Sequence, residues 1–72
     1  MENKRERFVR VAESRTNKII DMVRLLGNCA NKSNYDYTEA DIQKIFIAID
    51  KELKSTKLKF SVSELEDNKF KL

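Results

Sequence analysis

Apolar residues recur at steps of three and four along two separate stretches of this chain, and that period limits what it can become. In the first stretch Phe8, Ala12, Ile19, Val23 and Leu26 keep the period, Arg15 fills the gap, and Val11 and Met22 widen the line. The opposite side reads Asn3, Arg7, Arg10, Ser14, Asn17, Asp21 and Arg24, all of them polar. One apolar and one polar line at this spacing mark an amphipathic helix. The pattern predicts a helix over about residues 3–26, a rod about 36 Å long at the usual rise per residue. Gly27 is the only glycine and follows the last apolar residue. That is where helices commonly end in a left-handed cap, so Gly27 is the expected stop.

The run NCANKSNYDY then gathers three asparagines, a serine and an aspartate, which reads as a loop over residues 27–38. The second helix has a clearer start. Thr38 is a good N-cap and Asp41 stands three residues on, in the capping-box position, although a longer acidic side chain is commoner there. Tyr37 and Ile42 hold the two positions of a hydrophobic staple. Glu39 and Asp41 at the start and Lys54, Lys57 and Lys59 at the end suit the helix dipole. The stripe Ile42, Ile45, Phe46, Ile49, Leu53 and Phe60 predicts a helix over about residues 39–59. Residues 61–72 read two ways. Ser61 and Glu64, flanked by Phe60 and Leu65, repeat the box and staple and suggest a short third helix. Leu58, Phe60 and Val62 alternate with polar residues as a strand would, with no second strand to pair with. The expectation is a short helix or a frayed arm that docks Leu65 and Phe70.

These elements give an all-α fold. Two helices of similar length joined by a loop predict an antiparallel hairpin over residues 1–60. The loop is too long for a helix-turn-helix. A chain of 72 residues is marginal alone and usually needs a further support. A single cysteine, Cys29, forbids an internal disulfide, and with no histidine a structural zinc site lacks its ligands. Val9, Ile20 and Ile47 add apolar surface beside or behind the stripes. The expected solution is a homodimer of hairpins, a four-helix bundle, or a hairpin covered by its own tail. Arg15, on the apolar line, either packs its stem and holds its head in water or makes a buried ion pair with Glu52.

The same composition excludes most chemistry. There is no histidine to act as general base, no partner for Cys29, and no glycine-rich phosphate loop, so the chain reads as no enzyme and implies no cofactor or metal. Cys29 reads as a small residue packed at the turn. No segment has the length of a membrane span and the start has no apolar signal segment, so the expected compartment is the cytoplasm.

Binding is the remaining class. Residues 1–18 hold Lys4, Arg5, Arg7, Arg10, Arg15 and Lys18 against Glu2, Glu6 and Glu13, a balance of +3 that equals the net charge of the whole chain. Arginine forks match phosphate and carboxylate. Arg7, Arg10, Lys18 and Arg24 are therefore candidate contacts to a DNA or RNA backbone, driven by charge and steeply salt-dependent. The plain alternative is a solvated face with pairs such as Glu6–Arg10. Asn31, Lys32, Asn34 and Tyr35 form a second candidate, a protein-contact loop, against which stands ordinary turn chemistry with Tyr35 packed over the helix end.

The segments RFVRVAESRTNK, LLGNCANKSNY and YTEADIQKIF, within residues 5–60, resemble a family of short uncharacterised helical proteins of Gram-positive bacteria, often carried by prophages and conjugative elements. The resemblance implies a bacterial cytoplasm and a mobile-element setting. It brings no activity and no functional residue with it. Two functions fit: a self-associating nucleic-acid-binding or regulatory accessory protein, or an adaptor or inhibitor that meets a host or element-encoded protein through the tyrosine loop or uncovered apolar surface.

Overall fold

Helix α1, Lys4–Gly27, begins where Asn3 leaves the helical conformation and its side chain turns back over the first turn. The computed structural model describes the backbone of residues 1–68 and the side chains of residues 1–61. The Asn3 side chain accepts the Glu6 N–H at 2.8 Å, and its amide donates to the Glu6 carboxylate at 3.4 Å. The Asn3 carbonyl takes the Arg7 N–H at 3.0 Å. Amide groups that a helix start leaves unpaired are thus partly satisfied. Glu6 in the first turn and Arg24 in the last complement the dipole.

Gly27 is not the left-handed stop expected from its place in the sequence. Its φ is −58° and ψ −29°, ordinary right-handed values, and it belongs to α1. The backbone continues into a tight helical turn, Asn28–Ala30, and the Asn28 N–H reaches back to the carbonyls of Leu25 and Leu26. The break comes at Asn31, whose ψ of 101° is extended. Its side chain accepts the Ser33 N–H at 3.0 Å, and its carbonyl takes the N–H groups of Asn34 and Tyr35 at 3.1 and 3.0 Å. An asparagine that folds its own side chain onto the backbone two residues later is a sufficient stop, so glycine's freedom is not required.

Helix α2, Glu39–Asn68, starts as the sequence predicts. The Asp41 N–H donates to the Thr38 hydroxyl at 3.2 Å and the Thr38 N–H donates to the Asp41 carboxylate at 2.9 Å, the reciprocal pair of a capping box. The shorter acid is long enough to close the box. Tyr37 and Ile42, the staple positions, are both half-buried. The far end differs from expectation. The helix does not stop near Lys59 and no separate third helix starts at Ser61; the backbone of 61–68 continues α2. No glycine or proline interrupts the chain after Gly27, and extending an existing helix costs less than forming a new nucleus. The expected docking of Leu65 and Phe70 lies outside the described side chains.

The described chain is all-helical and divides into two units, Met1–Asp36 and Tyr37–Leu72. Among the described residues no apolar side chain is buried. Along α1, Phe8, Ile19, Met22 and Val23 are each at least half exposed, while Val9, Val11, Ala12 and Leu26 are half-buried. Along α2, Phe46, Leu53 and Phe60 are exposed on the stripe, and Ile47 and Leu58 are exposed on the reverse side. Arg15 and Glu52 are both exposed, so the chain holds no buried charge at that place.

Two substitutions test this description. Nothing lies within 4 Å of a side chain added at Gly27. Gly27→Ala should therefore stabilise the helical state by about 0.4–1 kcal/mol, since the native φ suits alanine and the unfolded chain loses freedom. A thermal melt followed by circular dichroism reads this; a destabilised variant would restore the left-handed cap. Thr38→Ala should lower stability by about 1 kcal/mol in the same measurement, with Thr38→Ser near wild type.

Candidate functional site

The basic face of α1 is divided by its own acids. Arg10 projects from the second turn, and long helical side chains lean toward the helix N-terminus. That lean brings its guanidinium to Glu2, which arrives just before the cap. Arg10 Nε meets Glu2 Oε2 at 2.7 Å and Nη2 meets Oε1 at 3.0 Å, a two-pronged contact. The Glu2 carboxylate raises the Arg10 guanidinium above its usual pKa and balances its charge. The expected Glu6–Arg10 pair is not what forms. Glu6 is engaged by the Asn3 cap, and Glu2 takes Arg10 in its place.

Arg24 Nη1 lies 4.0 Å from Asp21 Oδ1, with both side chains well exposed. A contact this long and this wet carries little energy. Arg7 and Lys18 are exposed and form no ion pair among the described residues. Eleven residues apart, they share a line within about 20° on the helix surface and stand about 16 Å apart along its axis. Of the four expected phosphate contacts, two thus keep an unbalanced charge, one is clasped by Glu2 and one has a loose acidic neighbour. A further arginine, Arg5, places its guanidinium 5.8 Å from the Phe8 ring centre, which ties it to the edge of the apolar stripe.

The loop candidates also separate. Asn31 is engaged in the turn that ends the helix, which matches turn chemistry for that residue. Lys32 and Asn34 are exposed. Tyr35 is 51 % exposed, so its ring is not packed over the helix end as the plain reading expected. Cys29 is exposed and not packed at the turn. Sequence reasoning missed Glu2 as a site residue. Its signal was an acid in the residue before an N-cap, facing a basic helix surface.

Among the described residues no helix is long and apolar enough to cross a membrane. No known protein family, curated protein or solved structure matches the chain.

The exposure of Cys29 is directly measurable. The thiol should react completely with a colorimetric disulfide reagent in native buffer. A thiol that reacts only after denaturation would place cover over the Asn28–Ala30 turn.

Proposed function

We propose that this chain is a self-associating helical binding protein whose apolar stripes are interface. The observation behind this reading is that most of the large side chains on the stripes of α1 and α2 are exposed and none is buried among the described residues. Eight stripe side chains — Phe8, Ile19, Met22, Val23, Ile45, Phe46, Leu53 and Phe60 — are exposed. Covering each would add about 1 kcal/mol, so the sum is on the order of the whole stability of a small domain. In the proposed assembly the two helices of each chain form an antiparallel hairpin, and two hairpins close a four-helix bundle. Ile47 and Leu58, on the reverse side of α2, give the hairpin apolar surface that a single partner helix leaves open.

Sedimentation equilibrium tests the reading. Wild type should be dimeric at about 100 µM and dissociate on dilution. Phe46→Glu should be monomeric at the same concentration and lose helix content. A wild-type chain that stays monomeric throughout would overturn the proposal.

Arg7 and Lys18 favour a second role for the same assembly, contact with a nucleic-acid backbone. This reading fits a regulatory or accessory protein of a mobile element, the setting that the sequence resemblance implies. It requires binding without base selectivity. Two phosphate contacts per chain give a salt slope of about −1.8 on duplex DNA, and about twice that for a dimer using both faces. Mobility shifts on a mixed-sequence duplex at low salt should show binding that disappears in Arg7→Glu/Lys18→Glu. No shift by wild type at about 50 mM salt or below would end this second reading.

A further inference from the structure

We infer that Glu2 is an internal competitor for phosphate at Arg10, so that the segment before α1 holds part of the basic face closed. The inference rests on the nucleic-acid reading of that face and adds a regulatory contact to it.

The arginine guanidinium is a fork of N–H donors. Two parallel N–H groups of an arginine match two oxygens of a carboxylate, and they match two oxygens of a phosphate in the same way. Glu2 places one carboxylate oxygen on Nε and the other on Nη2 of Arg10, at 2.7 and 3.0 Å. The carboxylate therefore occupies the donors that a backbone phosphate would use. Arg10 also lies among possible phosphate partners. Arg7, Arg10 and Ser14 stand at spacings of three and four, on one side of the helix, and Arg7 has no acidic partner among the described residues.

The clasp is held open to exchange by its surroundings. The Arg10 side chain is 64 % exposed and that of Glu2 31 %, so water and a competing anion reach the pair. An exposed pair of this kind is weak enough to be displaced. The clasp is also positioned locally. Asn3 fixes the backbone next to Glu2 through its cap on Glu6, and the extended ψ of 176° at Asn3 sets the direction from which Glu2 arrives. Removal of the Glu2 carboxylate frees Arg10 and leaves the Asn3 cap of α1 in place. The basic face then gains a third phosphate contact beside Arg7 and Lys18.

The test is a double-mutant cycle on the full chain, with a mixed-sequence DNA duplex as the probe. The four proteins are wild type, Glu2→Gln, Arg10→Gln and the double variant. Glu2→Gln should bind more tightly than wild type, and its salt slope should steepen by about 0.9 per chain, one phosphate contact. Between about 50 and 200 mM salt that adds about a 3.5-fold further loss of affinity. The gain should vanish in the Arg10→Gln background. In ¹⁵N NMR of the free protein, the Arg10 Nε–H should exchange more slowly in wild type than in Glu2→Gln.

Other results overturn it. If Glu2→Gln tightens binding equally in both backgrounds, the effect is general charge and the clasp is wrong while the nucleic-acid reading stands. If wild type binds and Glu2→Gln binds no better, the clasp is likewise wrong. If no variant binds the duplex, the nucleic-acid reading fails and takes this inference with it. Equal exchange of the Arg10 Nε–H in wild type and Glu2→Gln removes the clasp whatever the binding data show.

Discussion

A helix of two dozen residues in water gains little from its own hydrogen bonds, because nucleation is costly and each added residue brings only a small return. It persists when one face leaves the solvent. Both helices here carry an apolar face, interrupted at Arg15 in α1, and no apolar side chain is buried among the described residues. Every other feature depends on how that face is covered. Caps at Asn3 and Thr38 fix where the helices start, but each contributes on the order of 1 kcal/mol and cannot replace burial. The proposed bundle supplies the burial with the chain's own material.

The features legible in the sequence are the ones set by neighbours a few residues away. The capping box at Thr38 and Asp41 is complete in four residues, so its hydrogen bonds follow from the residue types. The all-helical class follows from a spacing repeated along each stripe. Gly27 misled because glycine after a helix is a statistical preference, whereas the local backbone already had a stop in Asn31 and its turn. The end of α2 misled for a related reason. Ser61 and Glu64 resemble a start signal, but a helix already under way has no nucleation cost, and nothing at Lys59 stops it.

The candidate site was half legible. Charge counting located the basic face on α1, and composition alone could do no more. Which of its cations keep an unbalanced charge is decided by contacts outside the helical repeat. Glu2 lies before the cap, eight positions from Arg10, beyond the direct i,i+3 and i,i+4 neighbours of a helix. Side-chain lean and the direction of the cap residue bring them together. The result redistributes the face: Arg7 and Lys18 present bare charge, and Arg10 presents a balanced pair. A surface that counts as evenly basic by sequence is thus uneven in space, and on the proposed reading its affinity for an anion depends on Glu2 and Asn3 ahead of the helix.

The central claim is that the helices owe their stability to burial between chains. The most direct measurement is the thermal melt of the wild-type protein, followed by circular dichroism at concentrations from about 5 to 500 µM. An assembly that folds as it associates has a melting temperature that rises with concentration. The account predicts such a rise, by several degrees across this range. A cooperative melt at the same temperature throughout would show that a single chain covers its own stripes, and would contradict it.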